Sequence, residues 1–257
     1  MEDLFLQSRL GRIHCRAVGD GPLLLLTHSA GRSAYEFDAV ASMLADHFRI
    51  VAWDMPGHGD SDRLRGHVRI VDLAELAMEL AAELSAGKPI LGGGSIGAAI
   101  ALAAAAGHPE ALAGIVPIEL PLSRDTTWWA QHWPMIETMF ARPDEPEEAS
   151  SARFRTWTPE LAHRIRIDRH KAGSHGMMPM LWAGREDADA TQQRIRELRL
   201  PALFVNGDKG VAPEAPELLP RLNPAASLAV VPDSGHFPHT DDPAVVSAAI
   251  KAWAEAL

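Results

Sequence analysis

Lys88-Pro-Ile-Leu-Gly-Gly-Gly-Ser95-Ile-Gly-Ala98 is the stretch whose reading decides the fold. A short apolar run enters Gly93-x-Ser95-x-Gly97, and an Ala- and Ile-rich segment leaves it toward Gly107. That order is strand, tight turn, helix. A serine at such a turn is held in a strained backbone conformation that lifts Oγ above the sheet edge, and the flanking glycines remove side chains that would clash. The helix that follows directs its N–H groups and dipole at charge developing near the serine. Two other readings of the glycines are a packing turn and a phosphate cradle. No Lys-Ser or Lys-Thr pair follows them, so the phosphate-loop pattern fails, and the spacing does not match a dinucleotide-binding fingerprint.

Working outward, the same rhythm continues on both sides. Leu4–Leu10 and Arg12–Ala17 flank Gly11 as a hairpin, and Pro22–Thr27 and Arg49–Trp53 read as buried strands. Tyr35–Asp46 and Val71–Ser85 carry apolar residues at helical spacing. Pro89–Leu91, a helix near Gly97–Gly107 and a strand at Gly114–Ile118 follow. Strands apolar throughout suit a parallel sheet covered on both faces, and their alternation with helices predicts an α/β fold with a mostly parallel central sheet. The pattern resumes at Pro201–Asn206 and Ser227–Val231 and closes with a helix over Pro243–Leu257. Between them, 122–200 breaks the rhythm and holds Trp128, Trp129, Trp133, Trp157 and Trp182, five of the seven tryptophans. It reads as a helical cap inserted into one core formed by 1–121 and 201–257, with Asp144–Glu148 as an exposed loop.

Three loops at strand ends carry candidate chemistry. Ser95 is the candidate nucleophile. His236, in Asp233-Ser-Gly-His-Phe-Pro-His239 after the last strand, is the candidate base, where Gly235 provides a flexible turn and His239 is a rival. Thr27-His-Ser-Ala-Gly31 follows the third strand; a backbone N–H there, from Ala30 or else Ser29, would join that of Ile96 to bind an oxyanion. Asp54-Met-Pro-Gly-His-Gly-Asp-Ser61 marks a tight turn.

These pieces, in this order, resemble the α/β-hydrolase family, through His28-Ser-Ala-Gly31, Asp54-x-Pro-Gly-His-Gly-x-Ser61, Gly93-Gly-Ser95-Ile-Gly97 and Gly235-His236. The resemblance implies a nucleophile–acid–histidine order along the chain and a cap after the sixth strand. Relatives mostly carry the acid three residues past a glycine after the next strand. In Asn206-Gly-Asp-Lys-Gly210 that position is Gly210, and Asp208 stands two residues early. Glu119, closing the apolar strand in Ile115-Val-Pro-Ile-Glu-Leu-Pro121, is the first candidate acid and Asp208 the alternative.

An acid on Glu119-Leu-Pro121 is similar to the fungal zearalenone lactonases, which use a Ser–His–Glu triad. Shared with them are Asp54-Met-Pro-Gly57, Gly-His236-Phe-Pro238 and a cap tryptophan, Trp182. The expectation is an ester or lactone hydrolase with Trp182, Trp128, Trp129, His28 and Phe237 contacting a bulky apolar substrate, a resorcylic macrolactone being the most specific form. Alternatives are a C–C bond hydrolase of ring-cleavage dienoates, for which Arg32 and Arg185 are the candidate carboxylate ligands, and a slow-turnover receptor on the same scaffold. Haloalkane dehalogenases and epoxide hydrolases need an aspartate where Ser95 stands.

Composition narrows the remaining classes. The 257 residues hold 24 Lys+Arg against 34 Asp+Glu, a net charge of −10, which disfavours nucleic acid and anionic membrane as partners. Cys15 is the single cysteine, so no internal disulfide or multi-cysteine metal site forms. The histidines show no metal-ligand spacing, and no metal or cofactor is expected. The longest uninterrupted apolar run, Ala98–Ala106, falls short of the roughly 20 residues that span a bilayer. With no basic or apolar leader pattern at the N-terminus, a cytoplasmic monomer or homodimer is the expectation.

Overall fold

The computed structural model describes residues 1–257. Eight strands form a single sheet: β1 (Glu2–Ser8), β2 (Gly11–Val18), β3 (Leu23–Thr27), β4 (Arg49–Trp53), β5 (Ile90–Gly94), β6 (Gly114–Ile118), β7 (Leu203–Gly207) and β8 (Ser227–Val231). Their spatial order is β1-β2-β4-β3-β5-β6-β7-β8. The hairpin β1–β2 and the β2–β4 pair are antiparallel, and every pairing from β4 to β8 is parallel.

Parallel strands need a covering layer on each face, and the sequence supplies it by alternation. In β3, Leu23 and Leu25 belong to the larger core cluster, which also holds residues of α2 (Ile70–Leu84) and α3 (Ile96–Gly107). Leu24 and Leu26 point the other way, into the cluster shared with α1 (Asp38–Leu44) and α10 (Pro243–Ala254). β4 divides likewise, with Val51 and Trp53 on one side and Ile50 and Ala52 on the other. The first strand is an edge strand and alternates exposed with half-buried residues, as one solvated face requires.

Several expected boundaries shift for local reasons. The helix expected over Tyr35–Asp46 is a 3-10 turn, Ala34–Phe37, followed by α1. The strand expected from Pro201 starts at Leu203, because proline has no N–H for the ladder; Ala202 makes only an isolated bridge to Ile115.

Between β6 and β7 the chain forms α4 (Thr126–Phe140), α5 (Glu147–Ser151), α6 (Pro159–Asp187) and α7 (Ala190–Glu197). The α6 span is two helical runs joined at Gly173, whose φ of 54° and ψ of −171° break the helix. Part of the expected exposed loop at Asp144–Glu148 turns inward: Glu145 has a side chain 1 % exposed and pairs with Arg153 and Arg169. The remaining helices are α8 (Ala215–Leu222) and α9 (Pro238–Asp241). No helix is long and apolar enough to cross a membrane.

Strand order reverses beside β3, which has β4 on one side and β5 on the other, in register Thr27 with Trp53 and with Gly93. In such a sheet the loops diverge there and leave a crevice at the carboxyl ends of the strands. The segments after β3, β5, β6 and β8 all open toward it.

Candidate active site

Ser95 sits between β5 and α3 with φ 53° and ψ −109°, a conformation that costs energy for any residue with a side chain. Its N–H donates to the Ile118 carbonyl at 2.9 Å. The glycines around it are there for space. A Cβ on Gly93 would lie 2.4 Å from the Thr27 carbonyl oxygen, and one on Gly97 only 2.1 Å from the same atom. Ile96, the first residue of α3, has no intrahelical acceptor for its N–H, and it borders the same cavity as Ser95.

His236 lies in the loop between β8 and α9, at that cavity. Gly235 does not serve as the expected flexible turn, since its backbone is not left-handed. Instead the Arg153 carbonyl crowds it: a Cβ on Gly235 would lie 2.3 Å from that oxygen. The same carbonyl accepts the His236 N–H at 3.0 Å, so two backbone contacts to Arg153 fix this loop. His236 Nδ1 is 3.3 Å from Glu119 Oε2.

Glu119 is fully buried, with φ 52°. Its two oxygens also accept backbone N–H groups, Oε1 from Gly207 at 2.7 Å and Oε2 from Val211 at 2.6 Å. A buried carboxylate tolerates its position only with such partners. Asp208, the alternative acid, is on the surface and accepts the Ser234 N–H at 3.0 Å. It has no contact with His236. Its carboxylate is turned instead to the Ser234 backbone in the loop after β8.

Burial holds the His236 imidazole below its ordinary value. The hydrogen bond and charge of Glu119 oppose that shift, while the charges of Arg153 and Arg124 add to it. A neutral imidazole at neutral pH is the form a proton acceptor needs.

The other expected positions divide. Ala30 borders the cavity and its N–H has no acceptor in the chain, whereas the Ser29 N–H and hydroxyl both go to Glu36, at 3.1 and 2.9 Å. Ser29 is therefore not free to donate to a ligand. His28 is buried away from the cavity: Nε2 accepts the Met55 N–H at 2.9 Å, and Nδ1–H donates to the Ser29 carbonyl at 2.8 Å. It braces the loop and does not border the cavity. His239 is buried beneath the surface, with Nε2 2.9 Å from Glu36 Oε1 and its ring stacked on Phe37. Trp128, Trp129 and Phe237 border the cavity. Trp182 does not; it is 40 % exposed and packs against Trp133 with ring centroids 4.5 Å apart. Neither Arg32, buried beside Glu36, nor Arg185, lying over Trp133 and Trp182, reaches the cavity.

The cavity has a volume of about 1220 Å³ including its open mouth, and its wall is mostly apolar. Met135, Met139, Phe140, Met180 and Leu181 come from α4 and α6. Sequence reasoning missed three residues here. Arg124 and Arg153 line the wall, and Glu36 holds the loop that carries Ala30. Neither arginine lies in a periodic pattern or a motif, so only the fold of 122–200 reveals them. Among clustered histidines and acids, His14, Asp54 and Asp60 come closest to a metal-ligand geometry. Asp54 there accepts the Ala34 and Asp60 N–H groups at 2.6 and 2.8 Å and meets His14 Nδ1 at 2.7 Å, a pattern that secures the turn after β4.

Known proteins share this architecture. A family profile described as "alpha/beta hydrolase fold" matches residues 22–243. The chain is 27% identical to 2-(acetamidomethylene)succinate hydrolase of Mesorhizobium japonicum, over 99% of this chain and 97% of that one. A solved E-2-(acetamidomethylene)succinate hydrolase superposes with a TM-score of 0.80 at 24% identity, covering 99% and 100% of the two chains. A thermophilic esterase from Thermogutta terrifontis superposes with a TM-score of 0.81 at 25% identity, covering 99% and 98%.

Proposed function

The chain belongs to the α/β hydrolase fold family, and on that premise we propose that it is a serine hydrolase cleaving carboxylic esters or lactones with a bulky apolar body. The single observation that carries the reading is the His236–Glu119 hydrogen bond at the cavity bordered by the strained Ser95. Ser95 Oγ attacks the substrate carbonyl carbon while its proton passes to His236 Nε2. Glu119 holds the Nδ1 proton and stabilises the imidazolium. The Ala30 and Ile96 N–H groups take the oxyanion. As the carbon–oxygen bond of the ester breaks, His236 returns the proton to the departing alkoxide. Water then repeats the cycle on the acyl-enzyme, releasing the acid and restoring Ser95. In this reading 122–200 acts as the cap that supplies the apolar wall.

A resorcylic macrolactone such as zearalenone is the most specific substrate in this class. It draws support from the Glu119-Leu-Pro121 acid and loses the support of Trp182, which packs outside the cavity. A C–C bond hydrolase of dienoates would use the same serine and histidine, with Arg124 and Arg153 in place of Arg32 and Arg185.

The test is turnover of aryl esters of increasing acyl length and of zearalenone by wild type and Ser95→Ala. Serine-dependent cleavage, reduced about 10³-fold or more in the variant, is the expected result. Equal cleavage by both proteins, or turnover of dienoates alone, overturns the ester reading. Tight ligand binding without turnover of any of them would instead favour a receptor.

A further inference from the structure

The cavity wall carries charge of one sign. Arg124 and Arg153 border it, and no aspartate or glutamate does, in a chain whose net charge is −10. Arg153 is already engaged, since its Nη2 donates to Ser150 Oγ at 3.3 Å and to the buried Glu145 carboxylate. Arg124 is in another situation. Its guanidinium lies 4.3 Å from the centroid of the Trp128 ring, and no carboxylate, carbonyl or hydroxyl of the chain accepts a hydrogen bond from it. Burial pulls its pKa down, and the charges of Glu119 and Glu214 only partly compensate. Glu119 is no substitute partner, because both its oxygens already serve backbone N–H groups and His236.

A guanidinium stays charged and presents five donors in a planar fork matched to a carboxylate. Half-buried against a tryptophan face and outside the chain's own hydrogen-bond network, this fork has only water as its acceptor and is free to pair with an anionic group of the cavity's occupant. The surrounding wall is apolar, so the remainder of that occupant is apolar too.

We propose that the substrate carries a free carboxylate in addition to its scissile carbonyl, and that Arg124 is the residue that binds it. The preferred substrates are then half-esters of dicarboxylic acids, in which an apolar chain runs between the anionic end and the ester attacked by Ser95. This inference rests on the serine-hydrolase reading for its reaction, though not for its binding site.

Two measurements test it. The first compares kcat/KM for monoethyl and diethyl adipate, and for the succinate and glutarate pairs, which share the scissile bond and differ in one charge. The half-ester is preferred by about 10- to 100-fold for at least one chain length, as expected for hydrogen bonds to a charged group. Arg124→Met abolishes that preference, and Arg124→Lys keeps part of it as a point charge without the fork. A diester cleaved as well as its half-ester at every length, or a preference undiminished in Arg124→Met, overturns the proposal.

The second is calorimetric titration of Ser95→Ala with hexanoate and with hexanamide, which needs no turnover. Hexanoate binds at least about tenfold more tightly, and Arg124→Met added to Ser95→Ala removes the difference. Equal binding of acid and amide overturns the carboxylate site. If neither ester is cleaved while hexanoate is preferred through Arg124, the hydrolase reading fails and the carboxylate site stands.

Discussion

The Glu119 carboxylate fills the space in which residue 210 would carry a side chain: a Cβ on Gly210 would lie 2.0 Å from Oε1 and 2.3 Å from Oε2. The two positions are alternatives. An acid can reach His236 from the end of β6 or from the loop after β7, and here the glycine at 210 makes room for the first. Gly210 is not in the left-handed region, so only space forbids a larger residue there.

Gly210→Ala should therefore displace Glu119 and lower kcat/KM by about 10²-fold or more, because the imidazole loses its orienting partner. The double variant Glu119→Gly, Gly210→Asp moves the carboxylate to the other loop and should recover much of that loss. Steady-state kinetics of the three proteins decide it. Wild-type rates in Gly210→Ala would contradict the assignment of Glu119.

The pH profile follows from the charges around His236. Its folded pKa lies below the ordinary 6.5, so the imidazole is neutral and competent above that value, and kcat/KM falls only as pH drops through the lowered pKa. Arg124 and Arg153 contribute to that lowering. Arg153→Met removes one positive charge and should move the acid limb to higher pH. A limb that stays in place, or moves down, would show that this charge does not act on His236.

Gly97 bears on stability as much as on geometry. With the Thr27 carbonyl 2.1 Å from where a Cβ would be, Gly97→Ala forces α3 and β3 apart. The expected cost is about 1–3 kcal/mol, read as a lower urea midpoint. An unchanged midpoint would contradict this close packing of α3 on β3.

His58 gives the protein a pH-dependent stability of defined sign. It is buried, and burial holds its pKa to about 3. Its Nε2 accepts the Gly31 N–H at 3.1 Å, a bond only the neutral ring can make. The unfolded chain takes up this proton near 6.5, so the contribution is complete above that value and declines as pH falls toward about 3. His14 works in the opposite sense: burial is outweighed by hydrogen bonds to Asp54 and Asp3, which raise its pKa. Its contribution is complete below 6.5 and is lost as pH rises through that raised value. His58→Gln keeps an acceptor and removes the titration. Its loss of stability between about pH 7 and about pH 5 should be smaller than that of wild type by urea denaturation. An equal loss in both proteins would contradict the assignment.

Much of this arrangement is legible in the sequence because it depends on local chemistry. β4, β6 and β8 coincide with Arg49–Trp53, Gly114–Ile118 and Ser227–Val231, since uninterrupted apolar runs between turn residues have few other ways to fold. The Ser95 turn is legible because its glycines answer to the Thr27 backbone. What escaped depends on long-range packing. Trp182 stands at a helical position compatible with the cavity, yet the break at Gly173 and the Trp133 contact decide where it goes. Arg124 and Arg153 belong to no motif, and only the path of 122–200 brings them to His236. His28 matched a ligand contact in sequence, but Met55, 27 residues away, takes its free nitrogen.

The measurement that tests the central claim most directly is the intact mass and peptide map of the protein after treatment with an alkyl fluorophosphonate. An activated serine displaces fluoride and forms one phosphorus–oxygen bond. The account predicts a single adduct on Ser95, absent in Ser95→Ala and formed much more slowly in His236→Gln. An adduct on another residue, or an unmodified Ser95 in a protein that still turns over esters, would contradict it.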